Sequence, residues 1–473
     1  MKGLLIIAST LIVVNFAFSQ QRWERVFGGA GRDQAFAVVQ TQDGGYAIAG
    51  FTGSFGPGCY SPYLITTDAW GDTVWSRCYG GPNNDYCWSM QQTRDGGFIL
   101  AGAIDSIFQT GPHDVYLVKT DTQGDTLWSR VYGDTGKVGN KNDMGKDVQQ
   151  TLDNGYIVVG LTNSYGAGGL DIYLIKTNAS GDTLWTRTYG GASDDYGQSV
   201  QQTSDGGYII AGSTSSFGAG GSDVYLIKTN ASGDTLWTRT YGGTNADFGR
   251  SVQQTSDSGY IIAGTTWSYG AGRTDVYLIN TDAQGNPLWT KTFGGLYSDE
   301  GSSVQQTAEG GYIVAGLWKP SNAPGAGSVY LIKTNAQGDS LWSSLFTGLG
   351  GANGESVRQT QDGGYIIGGL TWGGLEDDYY LIKTDSRGST GVEENQESGR
   401  MRAEGRMRPA PNPFLSFASV AGHERERFSL YDVSGRRVGI YKGDRIGEGL
   451  SPGVYFLRPE SGSSKPLRIV KVR

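Results

Sequence analysis

The feature that most constrains this chain is an internal repeat with a period of 52 to 57 residues. Trp23, Trp75, Trp128, Trp185, Trp237, Trp289 and Trp342 each open a similar phrase, as in Trp185-Thr-Arg-Thr-Tyr-Gly-Gly191, at successive intervals of 52, 53, 57, 52, 52 and 53 residues. An insertion around Gly136 to Lys141 accounts for the long interval. Segments 171–191 and 223–243 differ only at Ile172 against Val224. Units this alike fold alike, and stacking them buries faces that no single unit could cover.

Within a unit, Leu184–Tyr189, Ser199–Thr203, Tyr208–Gly212 and Val224–Thr229 read as strands, being rich in β-branched and aromatic residues and bounded by Gly, Asp, Asn and Ser. Asp205-Gly206-Gly207 between two of them supplies the positive φ angles of a tight hairpin, and the turn recurs at Asp43, Asp95 and Asp362. A second hairpin, Asn230 to Asp234, leads back to the next Trp. No segment has the spacing of an amphipathic helix. Tyr208-Ile-Ile-Ala-Gly212 is apolar on both faces, which requires cover on both sides. Four short strands per unit, packed face to face, predict an all-β fold: a seven-bladed β-propeller over residues 20–388 with four-stranded antiparallel blades. An open solenoid is the alternative, but the unit is long and carries two hairpins. The seven Trp side chains are expected to fill the spaces between blades. If a blade begins at the Ser-Val-Gln-Gln-Thr strand, the last one runs from Ser356 to Thr384 and lacks an outer strand. Arg22–Phe27 is then spare and would complete it, removing two open edges.

Composition agrees. Glycine is 77 of 473 residues, against a usual share of about 7%, as many tight turns require. The formal net charge of −8 gives no reason to expect a nucleic-acid partner, which needs a basic face, and none is assigned. Residues 1–19 read as a signal peptide: Lys2, an apolar stretch from Gly3 to Val14, then Ala17-Phe18-Ser19 before a cleavage point. The apolar stretch is short of the roughly 20 residues a spanning helix needs, and no other run is long enough. The expectation is an exported mature chain without a transmembrane segment. Export permits a disulfide among Cys59, Cys78 and Cys87, and all three pairings stay open.

After Gly388 the repeat stops. Residues 389–408 are charged and poor in apolar side chains, as in a linker. Residues 409–473 then hold Pro411-Asn412-Pro413-Phe414, Phe428 to Arg436, Gly449 to Phe456 and Leu467 to Lys471, short strands between Gly and Pro turns. In order and wording these phrases resemble the C-terminal sorting domain of the type IX secretion system. The resemblance implies a small β-sandwich, the type IX machinery as partner, passage across the outer membrane, and release or anchoring at the cell surface. The repeats themselves resemble units common in secreted bacterial proteins of unassigned function, which supports the fold and names no substrate.

Chemistry is sparsely signalled. The two histidines, His113 in a blade loop and His423 in the C-terminal domain, give no triad and no zinc spacing. No catalytic residue, metal site or cofactor is assigned. Two repeated sets mark candidate ligand contacts. Asp33, Asp85, Asp143, Asp195, Asp247 and Asp299 share a place before the first strand of a blade, with Asn353 near the seventh. Phe55, Phe108, Tyr165, Phe217, Tyr269 and Trp372 share a loop between the second and third strands. A shared structural job is the competing reading: turn capping for the Asp, a lid over the core for the aromatics. Gln40, Gln92, Gln150, Gln202, Gln254, Gln306 and Gln359 recur on the innermost strand and read as partners for backbone groups. Three functions follow: a surface binding, adhesion or scaffold module for a glycan or surface polymer; a glycan hydrolase, which would need one non-repeating pair of carboxylates; or a purely structural surface protein.

Overall fold

The computed structural model describes residues 22–105, 113–133, 141–322, 325, 327–348, 350–372 and 376–390, and, nearer the C-terminus, 409–410, 419–420, 427–432, 436–442, 445–446, 450–451, 453–459 and 467–471. The chain divides into two units, residues 1–393 and 394–473.

The first unit holds seven four-stranded antiparallel sheets. In the fourth, Asp195–Gln202 is innermost, followed by Tyr208–Thr214, Asp223–Thr229 and Thr235–Tyr241 at the outer edge. Both middle strands are buried along their whole length, while the outer strand alternates between exposed and half-buried. That is the burial expected when sheets pack face to face. Trp23–Phe27 pairs with Asp378–Thr384 and becomes the fourth strand of the last sheet. The innermost strand of the first sheet, Asp33–Gln40, packs on Ala352–Gln359 and Tyr365–Thr371 of the last. The sheets therefore close into a ring, a β-propeller fastened by its N-terminal strand as the phase of the repeat predicts.

The inner strand begins earlier than the sequence suggests, at Asp195 and not Ser199. A β-bulge explains the difference: Gly197 pairs with Gly212 and Ser199 with Ala211, leaving Gln198 as the extra residue. The irregularity breaks the period-two pattern on which a strand is recognised.

The tryptophans meet the expectation in part: each packs against the cluster between two sheets, as Trp237 does on Tyr260 of the next sheet with ring centres 5.9 Å apart, but at its outer end. The spaces between sheets are filled by Tyr, Ile, Leu, Val and Ala. Ile209, Ala211, Val224 and Leu226 of one sheet, for example, join Val252, Tyr260, Ile262, Tyr277 and Ile279 of the next. Trp185 and its counterparts are half-buried at the outer edge, where they form a latch; only Trp23, at the seam, is buried. Trp185, Arg187 and Tyr189 share one face of an outer strand because side chains repeat every second residue. The Trp185 ring lies against Gly233 in the next blade's outer hairpin, and a Cβ on Gly233 would fall 2.7 Å from that ring. The Arg187 guanidinium covers the ring at 5.4 Å from its centre. Tyr189 Oη donates to the Gly233 carbonyl at 2.6 Å. Gly233 has φ of +80°, so this place needs glycine both for its backbone and for the indole.

In the C-terminal unit, the strands order as Arg437–Lys442, Arg427–Asp432, Gly453–Pro459 and Leu467–Lys471 in one sheet, with a separate pair Pro409–Ala410 and Ser419–Val420. Phe428, Leu430, Ile446, Tyr455 and Leu457 form its small core. Residues 1–21, which include the expected leader, Pro411–Phe414, and His423 lie outside the described residues. No disulfide joins the cysteines: Cys59 is exposed, Cys78 half-buried and Cys87 buried.

Candidate functional site: the mouth of the central channel

The repeated Asp set is placed first. Asp33, Asp85, Asp143, Asp195, Asp247 and Asp299 are all fully buried. Asp33 accepts from Thr52 Oγ1, from Ser54 Oγ at 2.6 Å and from Gly29 N–H at 2.9 Å. Asp247 repeats this with Thr266, Ser268 and Gly243. Burial raises the Asp85 and Asp299 carboxyls above the ordinary range, against hydrogen bonds from the Gly81 and Gly295 N–H groups. These carboxylates tie the connection between blades to the loop joining strands two and three, so both emerge on one face. In the seventh blade the matching residue is Ala352, which pairs with Thr371 as Asp33 pairs with Thr52; Asn353 is one place further on.

On the same face, Phe55, Tyr165, Phe217 and Tyr269 are exposed, and Trp372 is half-buried. Each of the first four leans on a tyrosine of its own blade, as Phe217 does on Tyr225 with ring centres 5.8 Å apart. Phe108 lies outside the described residues.

The glutamines join blades. Gln202 Oε1 accepts from Leu152 N–H at 2.8 Å and Gln254 Oε1 from Ser204 N–H at 2.9 Å. The preceding residue reaches the other way: Gln201 Oε1 accepts from Gln254 N–H at 2.5 Å. Serines extend the pattern, with Ser199 Oγ accepting from Val252 N–H at 3.3 Å. In the third blade Asp147 stands in that place, bonded to Ser89 Oγ and to Val200 N–H. Burial raises its carboxyl despite those bonds.

Inside this frame lies a cavity of ≈ 540 Å³, the central channel. At its mouth every inner strand carries a bulge, and the extra residues are Phe36, Trp88, Lys146, Gln198, Arg250, Ser302 and Glu355. All seven line the channel. A different residue occupies this place in every blade, and the set went unnoticed in the sequence. Aligned copies of the inner strand reveal them: Gly197-Gln-Ser-Val-Gln-Gln, Gly249-Arg-Ser-Val-Gln-Gln, Gly301-Ser-Ser-Val-Gln-Gln and Gly354-Glu-Ser-Val-Arg-Gln hold everything nearly constant except the second residue. Bulges re-aim side chains, which is why they gather at binding sites.

The mouth is asymmetric. On one side an aromatic ridge runs over blades one and two: Phe36 on Phe51 at 5.9 Å, Phe51 on Tyr60 at 5.1 Å and Tyr86 at 5.2 Å, and Tyr86 on Trp88 at 5.5 Å. The place of Phe51 is taken elsewhere by Ala103, Leu161, Ser213, Thr265, Leu317 and Leu370, so the ridge is not a consequence of the repeat. His113, the first residue of a strand and not a loop residue as expected, borders the ridge 5.9 Å from Tyr86. Its Nε2 lies 2.9 Å from Asp105 Oδ1. Lys146 Nζ sits 3.4 Å from the centre of the Trp88 ring. Burial, with Arg250 nearby, pushes that ammonium down to about 8. Across the channel, burial pushes Glu355 up to about 6; Arg250 and a Ser302 hydrogen bond act downward and Glu300 upward. Asn353 Nδ2 donates to Glu355 at 2.6 Å. Among the described residues no cluster of three His, Cys, Asp or Glu side chains is placed to hold a metal, and no helix is long and apolar enough to cross a membrane.

No family model matches the chain. One curated protein, regulatory protein FlaEY of Caulobacter vibrioides, is 31% identical over 120 residues, which is 23% of this chain and 12% of that protein. Among solved structures, the outer-coat vertex of COPII on membranes is 12% identical with a TM-score of 0.48, covering 87% of this chain and 98% of that one. YCF48 bound to D1 peptide is 10% identical with a TM-score of 0.45, covering 79% and 99%. PorZ, an essential surface component of the type IX secretion system of Porphyromonas gingivalis, is 12% identical with a TM-score of 0.43, covering 94% and 60%. Strand order and ring closure among the described residues of the first unit are those of a β-propeller.

Proposed function

We propose that the chain is an exported seven-bladed propeller, displayed at the outer cell surface or released, that binds glycans at the mouth of its central channel. Residues 409–473 then act as a β-sandwich sorting domain read by the type IX machinery, on the strength of the sequence phrases given above. The observation that carries the binding reading is the bulge set. The serine and glutamine positions that line the channel repeat, while the bulge position beside them differs in every blade. Strict repetition suits a shared structural job, and variation at a place that lines a concave polar cavity suits recognition. Aromatic rings pack on the apolar faces of sugars, and the Gln, Ser and Glu groups meet hydroxyls. The exposed rings of Phe55, Tyr165, Phe217 and Tyr269, on the face held by the Asp loops, would add weak contacts for a polymer.

The test is binding of the full-length chain to a glycan panel, beside Phe36→Ser and Trp88→Ser. The sixth blade carries Ser302 at this place, so the substitution suits the backbone. Lost binding with an unchanged melt supports the reading; wild-type binding by both variants refutes it. Retention inside the cell of a chain ending at Gly388 would support the sorting role. A hydrolase is the second reading, favoured by two non-repeating carboxyls: Glu355 in the channel lining and Glu300, near enough to raise it. Product analysis on the same panel, with Glu355→Gln as control, decides it.

A further inference from the structure

Cations in this propeller are paired almost wherever they repeat. Lys119, Lys176, Lys228 and Lys383 are buried, each with an aspartate of its own blade's inner turn at 2.8–2.9 Å. On the outer rim Arg77, Arg130 and Arg187 reach Asp125, Asp182 and Asp234. The channel mouth breaks this habit. Lys146 and Arg250 occupy bulges of the third and fifth blades, both line the same cavity, and the Arg250 charge acts with burial to lower the Lys146 ammonium. Among the described residues neither has a carboxylate within ion-pair distance. The nearby Glu355 is engaged by Asn353 and Ser302, and Asp147 by Ser89 and the Val200 N–H. Lys146 is instead held in place over the Trp88 ring, an arrangement that fixes an ammonium without neutralising it. The same cavity also holds Arg358, whose charge acts on Asp147, and Glu355, on which Arg250 acts; with both carboxyls bonded elsewhere, the lining keeps an excess of cations whose repulsion an added anion relieves.

We infer that the channel mouth takes an acidic sugar, with the carboxylate of a uronate residue lying between Lys146 and Arg250 while its hydroxyls meet Gln198, Ser302 and Glu355. This rests on the glycan-binding reading and adds a charge requirement to it. The aromatic ridge alone would accept neutral and acidic sugars alike; the two unpaired cations select the acidic one.

The experiment titrates the full-length chain with an oligogalacturonate and with a neutral cello-oligosaccharide of equal length, at low and moderate salt. It is repeated with Lys146→Gln and Arg250→Gln. Glutamine is the residue that Gln198 already places on the fourth blade's bulge, so each variant keeps a side chain the backbone accepts. Thermal melts confirm folding. The expected result is a preference of the wild type for the acidic ligand, weakened by salt, with each variant losing about tenfold or more of that affinity and so narrowing the preference over the neutral one. Equal binding of the two ligands by the wild type, or a preference unchanged in both variants, overturns the inference and leaves the glycan reading standing. Binding of neither ligand overturns the inference and counts against that reading as well.

Discussion

Gly233→Ala should cost more stability than Gly206→Ala, although both residues occupy the same region of backbone conformation. Their φ angles are +80° and +82°, so alanine pays the same left-handed penalty of roughly 1–2 kcal/mol at each place. Their surroundings differ. A Cβ on Gly206 meets nothing within 4 Å, whereas one on Gly233 lies 2.7 Å from the Trp185 ring. Making room means moving an indole covered by Arg187 and tied to its neighbour through the Tyr189 bond, an overpacking cost of about 1–3 kcal/mol. The expected losses are about 1–2 kcal/mol for Gly206→Ala and about 2–5 kcal/mol for Gly233→Ala. Guanidinium unfolding followed by far-UV circular dichroism gives both values, provided the slope is unchanged. Trp185→Ala combined with Gly233→Ala completes a double-mutant cycle, and the excess should vanish once the ring is gone. Equal losses for the two glycines, or an excess that survives in the double variant, would refute the latch. The converse change is Ser258→Gly, at a non-glycine residue with φ of 70°, which should stabilise by roughly 1 kcal/mol.

Two further outcomes follow from the seam and the turns. Trp23→Ala should cost about 3–5 kcal/mol and promote association, since it removes the one buried Trp of the latch series and loosens the strand that closes the ring; a loss no larger than that of Trp185→Ala in the same denaturation series would contradict this. At Asp205, burial acts upward but is outweighed by hydrogen bonds from Thr203, Lys228 and the Gly207 N–H, which hold the carboxyl at about 2. A depressed folded value means the stabilisation is full above the unfolded value of about 3.9 and is lost as pH falls toward 2. Asp205→Asn should therefore flatten the acid limb of the stability curve, and an unchanged limb in a pH series of melts would count against it.

The repeat made the ring legible because each level agreed: Asp-Gly turns, doubly apolar middle strands and a spare N-terminal segment all require the same closure. The Trp positions were read less well. A large apolar residue in every unit suggests a core filler, and only the Arg two places on and the Tyr four places on mark it as one face of an edge strand. The site was hidden for a different reason. Repetition drew attention to the Asp and aromatic sets, the aspartates of which are enclosed by their own blades' donors, whereas the bulge residues share no type and have no motif. Aligned copies of the inner strand mark the variable place, but that it is a bulge aimed into the channel arises from pairing between strands and is invisible in the inner strand alone.

The strand that fastens the ring has a kinetic consequence. Tyr380 Oη bonds Glu24 across 356 positions of sequence, and the five residue pairs between Trp23–Phe27 and Asp378–Thr384 span similar separations. Six of the sheets are assembled from strands consecutive in the chain, so each can form as soon as its own segment is available. The seventh cannot. Its outer strand is the first described element of the chain and its partner the last of the ring, and loops of that length close slowly. Six blades can thus pair their strands locally, whereas the ring is complete only when the two distant ends meet. Whatever restrains residues 22–27 sets the time at which the whole molecule locks.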